Sequence, residues 1–375
     1  MLQAEELQRY SRHLSLAEIG QIGQEKIKKA SVLVVGAGGL GCPVLQYLTA
    51  AGVGKIGIVD ADKVDITNLQ RQILYGHADI GQPKALVARE KLQKLNNWID
   101  FEVFDTRLHK ENALAILVDY QIVVDCTDNF ATRYLINDAC VILDKPLVFG
   151  AIFKFEGQVS VFNLKNAAGE AGATYRCLFP NLPKADEVPN CAEAGVLGVL
   201  PGIIGTLQAN EVLKIILGIG EALRNRLLLV DALTLQTRVL KIKRSESQAQ
   251  VSQLIDYEEV CNAKPTNNAL KSIAASVLKS QLDAGIQWQI VDVREEYEYE
   301  ICHLEGAHLF PMGEILKYAT QIDCQKPVAV YCHHGMRSLL TIKMLEKEFG
   351  FQNLYNLSGG IDAWAREVET DMAVY

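Results

Sequence analysis

The run Ser31–Gly41, SVLVVGAGGLG, leaves few folds open to this chain. Ser31–Val35 is mostly β-branched and ends at Gly36, the pattern of a parallel strand buried on both faces. Gly36, Gly38, Gly39 and Gly41 then let the backbone approach something bulky and anionic. A helix starting beyond them offers unpaired N–H groups and a positive dipole end to a phosphate. A glycine pattern of this kind after a strand first suggests NAD. The rest of the chain has to decide which nucleotide is meant.

A second strand, Ile56–Asp60, ends in Asp60-Ala61-Asp62. An acidic residue about 20 positions after the glycines can bond ribose hydroxyls, of NAD or ATP alike. The next segment is more decisive. Thr67–Gln72, TNLQRQ, is polar and cationic, and Gly81-Gln82-Pro83-Lys84 follows it. Pro83 suits a first helical turn, which places Lys84 near a helix N-terminus. A dinucleotide needs no added Arg and Lys here, whereas a triphosphate does, because charge builds up as pyrophosphate leaves. Arg71 and Lys84 therefore point to ATP; surface charge is the alternative role for each. A strand at Gln121–Asp125 then runs into Cys126-Thr127-Asp128-Asn129. Ligand groups gather at the carboxyl ends of parallel strands, which places Asp128 to hold Mg²⁺. Its alternative role is to cap a helix beginning near Ala131.

With 375 residues, 49% apolar and 22% charged, the chain has room for two soluble domains. A net charge of −8 and a pI of about 5.5 argue against broad attraction to nucleic acid or anionic membrane. The most apolar stretch, Ala194–Ile219, includes Pro201, Gln208, Asn210, Glu211 and Lys214, so it reads as a buried helix and not a membrane span. The start of the chain lacks a signal-peptide core, and residues 4–29 read as helical. Arg9 and Arg12 fall on one side of that helix, as on a solvated face. Nine cysteines, irregularly spaced and without any C-x-x-C pair, suit a reduced cytoplasmic chain and argue against a zinc knuckle.

Residues 145–162, KPLVFGAIFKFEGQVSVF, alternate like strands that extend the sheet or turn antiparallel. Cys191 stands on a polar loop leading into an apolar helical segment. That position can activate a thiol as a nucleophile; a plain buried cysteine is the other reading. Strands at 226–230 and 237–242 close the first domain, and residues 244–268 are polar enough for a linker. In the smaller unit beyond, a strand at Trp288–Val293 ends in Asp292-Val293-Arg294-Glu295. Another, Pro327–Tyr331, delivers Cys332-His333-His334-Gly335-Met336-Arg337-Ser338 ahead of a helix. Such a loop makes a cradle of N–H groups that stabilises a thiolate or persulfide on Cys332, with Arg337 adding charge. The loop is one residue shorter than a phosphatase loop of this type, which suits a sulfur atom better than a phosphate.

Two resemblances follow from these motifs. Residues 1–243 resemble the ubiquitin-activating-like family of MoeB and ThiF adenylyltransferases, through Arg9-Tyr10-Ser11-Arg12, GAGGLG, VDAD, NLQRQ, GQPK, DCTDN, FEGQVSVF and PNCAEAGVLG. Residues 269–375 resemble a rhodanese domain, through DVREEYE, HLEGAHLFP, CHHGMRS and LSGGIDAW. The implied fold is α/β: a Rossmann-like adenylation domain of the ubiquitin-activating type, followed by a smaller α/β rhodanese domain. The resemblance implies ATP and Mg²⁺. It assigns Gly39, Asp60, Arg71, Lys84 and Asp128 to binding or adenylation, with Gly36, Gly38, Gly41, Asn68 and Gln72 beside them and Asp128 on Mg²⁺. It implies a homodimer with Arg12 reaching the neighbour's nucleotide site, which replaces the solvated-face reading. Cys191 falls on a cysteine that the family associates with covalent or acyl-disulfide chemistry.

The implied reaction is adenylation of the C-terminal glycine of a small ubiquitin-like sulfur carrier ending in Gly-Gly. A persulfide on Cys332, loaded by a sulfur donor, then converts the activated carboxylate to a thiocarboxylate. Molybdenum cofactor, thiamine, cysteine and tRNA thiolation are all open as the pathway served. Many relatives hold zinc with two C-x-x-C pairs. Here the first reads Thr174-Tyr175-Arg176-Cys177 and the second falls in SESQAQVSQLI, without cysteine, so no structural zinc is expected. Two alternatives differ in kind. One is a tRNA-modifying cyclase of the same superfamily, which the acidic charge disfavours. The other is a non-catalytic sulfur-relay scaffold, against which Arg71, Lys84 and Asp128 argue.

Overall fold

The computed structural model describes residues 2–182, 195–257 and 271–374, in two units. In the first unit the described strands are β1 (Ser31–Val35), β2 (Lys55–Val59), β3 (Asp100–Phe104), β4 (Ile122–Asp125), β5 (Leu147–Phe153), β6 (Glu156–Phe162), β7 (Arg226–Asp231) and β8 (Thr237–Lys241). They form one sheet in the order β3-β2-β1-β4-β5-β6-β7-β8. The five strands from β3 to β5 are parallel. Parallel neighbours need crossovers, supplied by helices such as Gly41–Ala51, Lys84–Leu95 and Phe130–Ile142. The Val- and Ile-rich β1 and β4 are buried by apolar clusters on both faces of the sheet.

At β5 the topology changes. Phe153 ends β5 and Glu156 begins β6, in a tight hairpin with Lys154 at φ 53°, and β6, β7 and β8 continue antiparallel. The apolar stretch expected as a buried helix is helix Val199–Leu217. It packs against helix Gly41–Ala51 and strands β5 and β6. Leu200, Ile204 and Val212 on it are fully buried.

The second unit holds a parallel five-stranded sheet, β11-β10-β12-β13-β9. Its strands are β9 (Ser272–Ile273), β10 (Gln289–Asp292), β11 (His308–Leu309), β12 (Val328–Tyr331) and β13 (Leu354–Leu357). Helices Ala275–Asp283, Met336–Phe349 and Gly360–Glu367 belong to this unit. Separate apolar clusters form its core.

Three details differ from expectation. Residues 4–29 are three helices, Ala4–Arg9, Ser11–Leu14 and Gly20–Lys29. The first break falls at Tyr10, which is buried and accepts a hydrogen bond on its hydroxyl from Asn96 Nδ2 at 2.9 Å. Strand β3 had no counterpart in the sequence reading, because DFEVF lies on the sheet edge and carries two acids. Part of the stretch read as a linker, 244–257, is folded onto the first unit. Arg244 Nη1 donates to the Gly172 carbonyl at 2.5 Å, and Ala249 and Tyr257 are buried.

Candidate functional site

The nucleotide-type site is built where β1, β2 and β4 end. Gly36 has φ +95°, and a Cβ there would stand 2.7 Å from the Cys126 carbonyl oxygen. Only glycine lets the β1 turn pass this close to the loop leaving β4. A Cβ on Gly41 would stand 2.0 Å from the Gly36 oxygen, so the turn and the helix it enters need both glycines. Gly39 and Gly38 face the cationic segment: their Cβ positions lie 3.6 Å from Arg71 Cγ and 3.5 Å from Gln72 Nε2. TNLQRQ is thus brought against the glycine turn. Arg71 Nη1 donates to the Thr67 carbonyl at 3.0 Å, and Asn68 is engaged locally, its Oδ1 accepting from the Asp65 N–H at 3.3 Å. Gln72 is buried with its Oε1 unpartnered among the described residues.

Asp60 closes the site from β2. Its Oδ2 accepts the Ala37 N–H at 2.7 Å and its Oδ1 the Asp62 N–H at 2.8 Å. Burial raises its pKa above the ordinary carboxylate value, against those two bonds and the nearby Lys84 charge. Lys84 is buried, and its Nζ donates to Asp62 Oδ2 at 3.1 Å. Pro83 is the N-cap of helix Lys84–Leu95, so Lys84 opens that helix. The Tyr75 hydroxyl donates to the Ala37 carbonyl at 2.8 Å and lies 3.3 Å from the Lys84 carbonyl, tying glycine turn to lysine. Sequence reading missed Tyr75 and Asp62 as site partners. The second acid of VDAD was the available signal for Asp62; for Tyr75 there was none.

Asp128 is exposed at the carboxyl end of β4. The alternative role considered for it belongs to its neighbour: Asn129 is the N-cap of helix Phe130–Ile142, its side chain accepting the Thr132 N–H at 2.9 Å. The loop before it is fixed from below. Asp125 Oδ1 accepts from Thr127 N and Oγ1 at 2.9 and 2.6 Å, and Arg133 Nη2 donates to the Thr127 carbonyl at 3.1 Å. Gln208, fully buried on the long helix, donates to the Asp125 carbonyl at 2.8 Å. An exposed carboxylate on a braced loop, spared from capping, fits a Mg²⁺ ligand.

The two N-terminal arginines part company. Arg9 Nη2 donates to the Leu95 carbonyl at 2.8 Å, while Arg12 is exposed. Cys191 lies outside the described residues. Of the zinc-type positions, Thr174 Oγ1 and Cys177 Sγ are 3.4 Å apart, and Ser245 N donates to Cys177 Sγ at 3.4 Å. Beside them the buried Asp138 is clamped by Arg176, Nε to Oδ1 at 2.8 Å and Nη2 to Oδ2 at 2.7 Å, and by the Tyr257 hydroxyl at 2.5 Å.

In the second unit β12 delivers Cys332 to a loop ending at helix Met336–Phe349. Cys332 is buried, and its sulfur accepts the Gly335 N–H at 3.1 Å and faces the Ser338 hydroxyl at 3.5 Å. Gly335 has φ +97°, which turns the chain back toward the sulfur. The LSGGIDAW motif holds the loop from outside: Ile361 N–H donates to the Cys332 carbonyl at 2.9 Å and Asp362 N–H to that of His333 at 3.1 Å. His333 and His334 lie edge to face at 4.1 Å, and Met336 opens the helix. One expectation needs correcting. Arg337 does not lend its charge to the sulfur unopposed, because it forms a bidentate pair with the buried Glu298, Nη1 to Oε2 at 2.6 Å and Nη2 to Oε1 at 2.7 Å.

Comparison with known proteins agrees with this division. The ThiF family matches residues 10–251 and the rhodanese-like domain residues 274–367. A Mycobacterium tuberculosis protein named probable adenylyltransferase/sulfurtransferase MoeZ is 42% identical over 380 residues, spanning 100% of this chain and 96% of its own. The sulfur carrier protein adenylyltransferase of Thermus thermophilus is 53% identical over 266 residues, 69% of this chain and 98% of its own. Among solved structures, E. coli MccB with ATP superposes with a TM-score of 0.54 at 22% identity, covering 65% of this chain and 73% of that one, a likeness of fold. The chain belongs to the ThiF family and carries a rhodanese-like domain after its ThiF region.

Proposed function

We propose that the chain activates the C-terminal carboxylate of a small ubiquitin-like sulfur carrier with ATP and then supplies its sulfur. It is an adenylyltransferase joined to a sulfurtransferase, as its full-length relatives are named. The observation that carries the adenylation half is the convergence of the glycine turn, Asp60, Arg71 and Lys84 at the ends of β1 and β2.

The carrier's carboxylate oxygen attacks the α-phosphorus of ATP, and the bond to pyrophosphate breaks with its electron pair. Lys84 and Arg71 offset the charge that builds on the phosphates, with the glycine-turn N–H groups holding the chain of oxygens. Asp60 is placed for the ribose hydroxyls. Asp128 would hold Mg²⁺, whose contribution is to screen the phosphate charge. Adenylation gives a poor acceptor a good leaving group. We propose that the Cys191 thiolate takes the acyl group as AMP departs and carries the intermediate acyl link. The outer sulfur of the Cys332 persulfide, loaded by a persulfide donor, then displaces that thiolate to give an acyl disulfide. A further thiol attacks the Cys332 sulfur, breaking the S–S bond and releasing the thiocarboxylate while forming a disulfide that a cellular thiol reductant reopens. A homodimer belongs to the same reading, with the exposed Arg12 reaching the neighbouring nucleotide. A reducing, cytoplasmic setting suits the thiol chemistry at Cys332.

The test is exchange of labelled pyrophosphate into ATP in the presence of a carrier ending in Gly-Gly. Exchange that depends on the carrier and is lost in Lys84→Met supports the reading; no exchange with any such carrier overturns it. Cys332→Ser should abolish sulfur transfer and leave exchange intact. Loss of both would contradict the division of labour.

A further inference from the structure

The loop around Cys332 sets up an unusual balance of charge. The Gly335 N–H that donates to its sulfur is neutral, and so is the Ser338 hydroxyl, which lies 3.5 Å from the sulfur and gives its proton to Asn356 Oδ1 at 2.6 Å. The cation that the loop sequence provides, Arg337, commits both terminal nitrogens to Glu298. Glu298 is itself fixed from several sides. Its Oε2 also accepts the Glu295 N–H at 3.0 Å, in a capping box at the start of helix Glu296–Ile301. Its carbonyl accepts from Arg294 Nη1 at 3.2 Å, and Arg294 is clamped by the fully buried Asp292 at 2.6 Å. The pair at Glu298 and Arg337 is therefore a preformed part of the loop's wall, and its net charge is zero.

Sulfur donors differ in what they ask of such a wall. With thiosulfate, the Cys332 thiolate attacks the outer sulfur, a new S–S bond forms on Cys332, and the old S–S bond breaks with its electron pair on departing sulfite. The donor enters as a dianion and a dianion leaves, so a cation must face it once water is excluded. With an alkyl persulfide the same attack on the terminal sulfur expels a thiolate, and the donor brings at most one charge. Neutral backbone N–H groups suffice for that.

We infer that Glu298 is a specificity-determining residue of the sulfurtransferase loop: by holding Arg337 in a bidentate pair it tunes Cys332 to take sulfur from thiol-borne persulfides and against thiosulfate. This rests on Cys332 being the sulfur-accepting residue. The variant Glu298→Gln is suited to the test, because glutamine at this third helical position keeps the capping box while removing the charge that holds Arg337.

Two assays on the full chain decide it: kcat/KM for thiosulfate with cyanide as acceptor, and the rate at which Cys332 gains one sulfur atom from cysteine persulfide, read by mass. E298Q should raise kcat/KM for thiosulfate roughly tenfold, about 1.4 kcal/mol, chiefly through KM. Loading from the persulfide should stay within about twofold. Removing Arg337 in the same variant (E298Q with R337L) should take the gain away. No gain for thiosulfate with persulfide loading intact overturns the inference, as does a gain that persists without Arg337. Should E298Q lose both activities together, Glu298→Asp, which keeps the charge and breaks the bidentate geometry, must show a smaller gain for thiosulfate; its absence is equally fatal. A wild-type chain that gains no sulfur on Cys332 from either donor fails earlier, at the sulfurtransferase reading itself, and takes this inference with it.

Discussion

Replacing Arg176 with methionine tests how the first unit is held together where relatives are expected to use zinc. Asp138 is 1% exposed and ends helix-side in a cage of donors: Arg176 through two bonds of 2.8 and 2.7 Å, Asn137 Nδ2 at 2.8 Å and the Tyr257 hydroxyl at 2.5 Å. Methionine leaves a buried carboxylate with its counter-charge gone. Breaking a buried pair from one side costs about 3–5 kcal/mol. The lost stacking of the guanidinium over the Tyr134 ring, 5.0 Å away, adds to it. In a unit of this size each kcal/mol moves Tm by about 2–4 °C, so the first-unit transition should fall by roughly 6–20 °C. Scanning calorimetry of the full chain reads this directly, with the rhodanese-unit transition as an internal reference. Asp138→Asn added to the same variant should recover a large part of the loss, because no charge is then stranded. A strong chelator should leave the wild-type transition where it is. The reasoning fails if Arg176→Met costs less than about 1 kcal/mol, or if the chelator lowers the wild-type transition, since a metal would then be supplying what is assigned to the clamp.

Asp128→Asn should lower pyrophosphate exchange by about 10²–10³ at saturating Mg²⁺ while leaving Tm unchanged, because Asn129 and not Asp128 caps the helix; a fall in Tm of several degrees would return Asp128 to a structural role. Gly360→Ala should cost about 1–3 kcal/mol in the second unit and abolish sulfur transfer. Gly360 has φ +60° and its Cβ would stand 2.3 and 2.4 Å from the His333 and Cys332 oxygens; retained transfer would show that the loop does not need this brace. Burial works against ionising Glu298, yet the Arg337 bonds, the Glu295 N–H and the Arg337 and Arg294 charges hold its pKa below the ordinary 4.5. Its contribution to stability is therefore complete above about pH 4.5 and is lost as pH falls through the folded-state value. Urea unfolding of the second unit from neutral to about pH 3 should show an acid limb that flattens in Glu298→Gln; an unchanged limb would contradict the ion pair's role.

Much of the site was legible because its chemistry is local. The glycine turn, Asp60, Asp128 and Cys332 each follow closely on a strand whose apolar run announces it, and Arg71 and Lys84 stand in the polar segment and at the proline-marked helix start that come after the second of those strands. What could not be read was which side chain answers which. The pairing of Arg337 with Glu298 joins residues 39 apart in sequence and depends on β10 and β12 being neighbours in the sheet. The capping role weighed as the alternative for Asp128 belongs to Asn129, since the two are both good caps and only the backbone distinguishes them. The stretch 244–257 looked like a linker because its few apolar groups are isolated in a polar run. Tyr257 nonetheless reaches Asp138 across 119 positions, a partnership invisible to composition. Strand β3 carries acids that suit its place on the edge of the sheet.

The ion pair between Lys84 and Asp62 makes the nucleotide site behave as an ion exchanger. The lysine is buried and the carboxylate that partners it is on the outside, 63% exposed at its side chain. Bringing a phosphate to Lys84 then swaps one anion for another, and the ammonium is never stranded without a counter-charge during the swap. The outgoing Asp62 returns to water at little cost, so the exchange is easily reversed. A ligand succeeds only by offering the lysine more than a carboxylate does, which a chain of phosphates gripped by the glycine turn provides and a stray monovalent anion does not.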